Sequence, residues 1–118
     1  MIKIKRKNPY QILVDTFGED LQLDIAIEEM SELTKAICKY KRFYTTADEK
    51  EKERLKSDII EETADVMLNV EQLSYMFGID KVEEIKEYKL NRVLERASKA
   101  KKDWGLYMKT TYYANLNK

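Results

Sequence analysis

Only four residues of this chain resist a helix: Pro9, Gly18, Gly78 and Gly105. Pro lacks a backbone donor and Gly loses the most backbone freedom on ordering, and strands joined by tight turns need many more of both. With 118 residues and so few breakers, the expected fold class is all-α, a four- to five-helix bundle in one domain, 1–118, that oligomerises through its helices. The breakers also punctuate it. Asn8-Pro9 sets a capping side chain ahead of Pro at the first helical position, and Gly18 ends a short helix near Phe17. Asp20 is the expected cap of a second helix, which carries LQLDIAIEEMSELTKAICKYKRF to about Phe43. Thr46-Ala47-Asp48-Glu49 reads as a capping box. It opens the polar segment DEKEKERLK, expected on the surface with little buried face. A long helix follows from Ser57 to Phe77, either continuous with that segment or bent near Ser57. Gly78 ends it, and Asp80 with Glu83 caps a last major helix to about Lys101. Trp104-Gly105 is expected to break that helix. The core then covers about 17–101, and a Tyr-rich tail, 102–118, docks on a neighbour.

Composition excludes several classes of function. Positive and negative side chains balance at 22 each, so no net field draws the chain to nucleic acid or to a membrane surface. No stretch approaches the ~20 apolar residues of a membrane span, and the basic start, Met1 to Lys7, lacks the apolar core of a secretion signal. A single cysteine, Cys38, cannot form an internal disulfide, which suits a reducing cytoplasm. Histidine is absent. Ser-His and Cys-His nucleophiles are thereby excluded, and no imidazole is available for zinc or di-iron. Any metal must be held by oxygen.

Acidic residues fall where an amphipathic helix should be apolar. At 100° per residue, with Glu29 at zero, Glu32 lies at about −60°, Ile25 at −40°, Ala36 at −20°, Tyr40 at +20°, Leu33 at +40° and Ala26 at +60°. The next long helix repeats the pattern. With Glu62 at zero, Asp65 lies at about −60°, Asn69 at −20°, Leu73 at +20°, Val66 at +40° and Ile59 at +60°. Two helices thus each carry two carboxylates, one turn apart, on the side that should be buried. Four carboxylates converging in a partly dry space repel and lose hydration. They stay ionised only with a cation among them; otherwise some are protonated through raised pKa values. An all-oxygen donor set selects a hard ion, Mg²⁺ or Mn²⁺. The plainer alternative is rim acids paired with lysines at helical spacing.

The last helix supplies the opposite sign. With Lys89 at zero, Arg92 lies at about −60°, Arg96 at −20°, Ile85 at −40°, Val82 at +20° and Val93 at +40°. Cations on the apolar side could hold a phosphate chain that bridges to the metal. Alternatively, their stems run along the helix edge and the charged ends reach water.

The segments IEEMSELTKAI and IIEETADVMLNVEQL resemble the MazG-like, all-α nucleoside triphosphate pyrophosphohydrolases, whose signature is E-E-x-x-E followed, after an insert, by E-x-x-D. Here it reads Glu28-Glu29-Met30-Ser31-Glu32, then Glu62-Thr63-Ala64-Asp65. FGEDLQLDIAIEEMSEL and KLNRVLERA are also similar to family segments, so the resemblance spans roughly residues 17–97. The insert between Glu32 and Glu62 is 29 residues long, 33–61. That length suits single-domain dCTPase-like and phage-type members more than the compact repeats of full-length MazG. The resemblance implies that Glu29, Glu32, Glu62 and Asp65 ligate Mg²⁺. It also implies that Asn69 contacts nucleotide and that Lys89, Arg92 and Arg96 grip phosphates. Gln22, about +20° on the Glu29 wheel, could reach base or sugar, or be an ordinary polar residue near the helix start. Phe17, Tyr40 and Trp104 are candidates to stack on a base, with the core as the alternative. Cys38, opposite the acids, reads as a packing residue.

The implied reaction cleaves a nucleoside triphosphate, with a deoxynucleotide preferred, to the monophosphate and pyrophosphate in nucleotide-pool clean-up. Glu32 or Glu28 would orient or deprotonate the attacking water. No Walker-type glycine loop is present, so metal and side chains must cradle the phosphates. Two enzyme alternatives share the architecture: a phosphoribosyl-ATP pyrophosphohydrolase and a dUTP-specific relative. The alternative of another class is a non-catalytic helical module whose acids serve assembly or hold a regulatory ion. Wide apolar arcs on three or four helices exceed what one protomer can cover, so a homodimer or homotetramer is expected.

Overall fold

A computed structural model of the chain describes residues 8–116, with side chains described as far as Asp103. All regular structure among the described residues is helical: α1 (Pro9–Phe17), α2 (Glu19–Phe43), α3 (Glu49–Phe77) and α4 (Ile79–Leu116). The expected all-α class holds. No described helix is long and apolar enough to cross a membrane. The chain divides into two compact units, Met1–Ile79 and Asp80–Lys118. The basic start, Met1 to Lys7, lies outside the described residues, as do the side chain of Trp104 and those of the tail beyond it.

In the first unit, each helix begins and ends for a local reason. The Asn8 side chain accepts from the Tyr10 amide and caps α1, with Pro9 at its first position. Gly18 (φ +85°) closes α1 and Gly78 (φ +132°) closes α3, both in the left-handed region where a Cβ is unfavourable. Two caps differ from expectation. Gly18, not Asp20, precedes α2, and no side chain caps it; Asp20 instead lies in the first turn with Glu19, where acids complement the helix dipole. Asp48, not Thr46, caps α3 by accepting from the Glu51 amide. Thr46 donates its hydroxyl to the Phe43 carbonyl in the intervening turn.

The polar segment after Asp48 is the first third of one continuous α3, uninterrupted at Ser57. Successive i,i+3 pairs line it: Lys52 with Glu49, Arg54 with Glu51, Lys56 with Glu53. Exposed pairs of this kind add little each. Leu55 anchors the segment, buried to 3 % exposure, while Lys52 and Lys56 hold their ammonium groups 5.2 and 5.6 Å from the Tyr44 ring.

α2 and α3 form the principal contact of this unit. They run antiparallel: Gln22 and Ile25 share a groove with Asn69 and Gln72, whereas Lys39 shares one with Asp58. Burial follows the arcs drawn from sequence. Ala26 and Ala36 are buried, and Ile25, Leu33 and Tyr40 half-buried, on α2; Ile59, Val66 and Leu73 are half-buried on α3. α1 closes one end of the pair. Tyr10 donates its hydroxyl to Glu71, its carbonyl accepts from Gln72 Nε2 at 3.2 Å, and Tyr75 donates to Gln11 at 2.5 Å.

α4 begins at Ile79, the last residue of the first unit, and its remainder from Asp80, already in the first turn, makes up the described part of the second unit. It continues through Trp104-Gly105 to Leu116, against the expected break. A lone Gly inside a helix costs only about 1 kcal/mol relative to Ala, and no Pro follows it to force a stop. Its described surface carries i,i+3 ion pairs, Lys81 with Glu84 and Lys86 with Glu83.

Leu55→Ala should destabilise the chain by about 2–4 kcal/mol, the usual cost of a buried leucine truncation. Urea unfolding followed by circular dichroism measures it. A loss below about 1 kcal/mol would show that the α2–α3 seam is not the core.

Candidate metal centre

Half-way along the α2–α3 seam the two acidic motifs meet. Carboxylate oxygens of Glu29, Glu62 and Asp65 all lie within 4.8 Å of one another, and all three side chains are half-buried. They arrive there because each stands on the partner-facing arc of its helix, Glu29 one turn beyond Ile25 and Asp65 one turn beyond Glu62. Among the described residues, none of the three forms an ion pair or a side-chain hydrogen bond. Glu62 Oε2 is wholly buried without a partner. The Glu29 and Glu62 carboxyls are therefore held above their ordinary value of 4.5. Lost hydration is the main cause for both. Repulsion from Asp65 comes next, then from Glu28 and Glu32 for Glu29, and from Glu29, Glu32 and Glu61 for Glu62.

The donor set fits a hard divalent cation. Ligand oxygens of octahedral Mg²⁺ sit about 3.0 Å apart when adjacent and about 4.2 Å apart when opposite, from a bond length of ~2.1 Å. The three oxygens, within 4.8 Å of one another, would have to draw closer by side-chain rotation to ligate one ion.

Of the four acids expected at a metal, the structure brings these three together. Glu32, one turn beyond Glu29, is exposed and lies outside the tight group. It lines an adjoining groove of about 200 Å³ with Lys35, Ala36, Lys39, Asp58 and Glu62. Glu28 is exposed on the flank of α2 and lines no described groove. Its influence on the site is the repulsion it exerts on Glu29.

On the other side of the triad, a groove of about 340 Å³ opens between α1, α2 and α3. Apolar side chains form most of its wall, Leu13, Leu21, Ile25 and Leu68 among them, and three amides enter it. Asn69 is half-buried and donates Nδ2 to the Asp65 carbonyl at 2.8 Å. Gln22, near the start of α2, is buried. Gln72 is buried, and its Oε1 has no partner. Phe17 stands at the mouth of this groove, 53 % exposed. Tyr40 packs instead on Tyr44, ring centroids 4.5 Å apart. Cys38 is exposed and not a packing residue, because only the arc of α2 that faces α3 is covered in this chain.

Lys89, Arg92 and Arg96 belong to the second unit. They share one exposed face of α4, where with Val93 they line a groove of about 190 Å³. The Arg92 guanidinium sits 5.9 Å from the Tyr88 ring centroid. Gln72 and the lysine pair on α2 are the site-lining residues that sequence reasoning passed over. Gln72 had a visible signal, since it lies one turn beyond Asn69 on a largely apolar arc.

No protein-family model, curated protein or solved structure matches the chain.

Because folding raises the Glu29 and Glu62 values, the folded chain binds protons more tightly than the unfolded one. Their contribution to stability is therefore lost as pH climbs from 4.5 through the raised values. Without metal, the wild-type Tm should fall across that window relative to Glu62→Gln. Above the window, Mg²⁺ should raise the wild-type Tm and leave Glu62→Gln unmoved, since only ionised ligands bind it. Circular dichroism melts of both proteins check this, and parallel pH curves would contradict it.

Proposed function

We propose that the chain is a magnesium-dependent nucleoside triphosphate pyrophosphohydrolase of the MazG-like, all-α type, which releases the monophosphate and pyrophosphate. The observation that carries this reading is the triad itself. Glu29, Glu62 and Asp65 converge within 4.8 Å, half-buried and without ion-pair partners among the described residues. Repulsive groups on two different helices, left unneutralised by protein cations, are what a divalent-ion site requires. They also belong to the E-E-x-x-E and E-x-x-D motifs that carry the resemblance to the family.

When bound there, Mg²⁺ (or Mn²⁺) supplies charge neutralisation for the phosphates and lowers the pKa of water. The protein's own groups do the rest. Glu32, on the rim beside Glu62, orients the attacking water and takes up its proton; Glu28 tunes Glu29 from the flank. The apolar groove next to the triad takes the base, against Ile25 and Leu68, with Asn69, Gln22 and Gln72 supplying polar recognition. The resemblance assigns Lys89, Arg92 and Arg96 to the phosphates. Removal of surplus or non-standard nucleotides in the cytoplasm is the role this activity would serve.

Self-association completes the proposal. Ile27, Ile60 and Met67 on α2 and α3 are 61 %, 71 % and 58 % exposed, and burying such side chains between copies is favourable. A homodimer or homotetramer is expected, and a stable monomer by light scattering would contradict it.

The activity is tested by measuring pyrophosphate release from a panel of ribo- and deoxynucleoside triphosphates, with and without Mg²⁺. Wild type should act only with the ion. Glu62→Gln and Asp65→Asn, folded by circular dichroism, should each lose about 100-fold or more. Undiminished release by either variant would remove the mechanism. An inactive wild type that still binds Mg²⁺ would favour the non-catalytic module.

A further inference from the structure

Along the α2–α3 seam the grooves follow an order. The apolar, amide-bearing groove lies beside Ile25 and Asn69, the acidic triad comes next, and the groove beyond it carries Lys35 and Lys39. The last two share Glu62, so triad and lysine groove are continuous. Lys35 and Lys39 stand one turn apart on α2, at about −120° and −80° from Glu29. That is the flank on which Glu32 and, at the far end, Leu21 also lie. Acids line the same groove, Glu32, Asp58 and Glu62. Yet among the described residues neither lysine forms an ion pair. Lys52 and Lys56 of this unit each hold a glutamate three residues away, whereas Lys41 and Lys50, like the groove pair, form no ion pair among the described residues. The two groove lysines thus stand beside the candidate metal centre without a direct ion-pair contact, in a groove they share with three carboxylates.

We propose that Lys35 and Lys39 anchor the terminal diphosphate of the substrate and hold it as pyrophosphate after cleavage. The inference rests on the pyrophosphohydrolase reading and adds a direction to it. The base lies toward α1, the cleaved linkage at the triad, and the leaving group toward the α2–α3 turn. By helical rise, Lys35 and Lys39 sit about 9 and 15 Å beyond Glu29 along α2, and their flexible stems reach back toward it. Water attacks the α-phosphorus. A new phosphorus–oxygen bond forms there, and the bond from that phosphorus to the bridging oxygen breaks. The bridging oxygen keeps the electron pair as part of pyrophosphate, and the water's proton passes through Glu32 to solvent. The ammonium groups offset the charge that the bridging oxygen gains. Lysine suits the task because a compact point charge on a flexible stem binds phosphate without demanding one geometry.

The test is calorimetric titration of the full chain with inorganic pyrophosphate in Mg²⁺, and separately with a nucleoside monophosphate. The proteins are wild type, Lys35→Ala, Lys39→Ala, the double variant, and Lys41→Ala as a control on the same helix. Both target lysines are exposed, so folding should survive, and circular dichroism verifies it. Each single variant should weaken pyrophosphate binding about tenfold or more. Monophosphate binding should stay unchanged, Lys41→Ala should match wild type, and Lys35→Arg should recover part of the loss. A double variant that binds pyrophosphate as wild type does overturns the assignment, as does a wild type that binds none. A drop in Tm with unchanged pyrophosphate affinity also overturns it, since the lysines would then only balance Asp58 and Glu32. The two readings fail separately. Lysine-dependent pyrophosphate binding without hydrolysis of any triphosphate would leave the anchor standing and remove the hydrolase. Hydrolysis with lysine-independent pyrophosphate binding would do the reverse.

Discussion

Repulsion among Glu29, Glu62 and Asp65 is the constraint around which the first unit is arranged. A seam between two amphipathic helices is normally closed by apolar side chains, and most of this one is, from Ala26 and Ala36 to Leu55. Placing three carboxylates in its middle costs hydration and sets like charges side by side, which is why two of them hold protons more tightly than usual. Stability is lost at that point, and the remainder of the seam must offset it. A site that destabilises its own fold is common where function, not packing, selects the residues.

What offsets it lies to either side. At one end α1 is tied down by Tyr10, Gln11, Gln72 and Tyr75. Its aromatic and aliphatic residues wall the groove next to the triad. At the other end Leu55 is buried beneath a strongly polar stretch, and Tyr44 receives two lysine ammonium groups. The middle is held from both flanks, so its carboxylates keep their positions although nothing in their own contacts favours it. Helices, and not loops, carry all three carboxylates.

Much of this was legible from residue pattern. Helix ends at Phe17, Phe43 and Phe77 coincide with Gly18, the polar turn after Phe43, and Gly78, because breakers and caps act locally. The acidic arcs were equally readable, since 3.6-residue periodicity places Glu29 and Glu62 on faces that also carry Ile25 and Ile59. Local pattern misled where two weak signals competed. Asp20 and Thr46 are good caps by type, but Gly18 and Asp48 take those places. Gly105 looked like a stop, yet α4 passes through it.

Residue pattern alone was enough for the all-α class, for the ends of α1, α2 and α3 to within a few residues though not for the end of α4, and for which face of each helix carries acid or base. Those properties depend on neighbours within about one turn, and the chain carries them wherever it goes. Which acids meet depends on how the helices pack: Glu29 with Glu62 and Asp65, with Glu32 left on the rim. The tertiary structure alone buried Gln22 and Gln72, exposed Cys38, and set Lys35 and Lys39 beside the triad. Register and rotation between two helices depend on how their whole surfaces interlock, and that sum over distant residues is written in no single stretch of sequence.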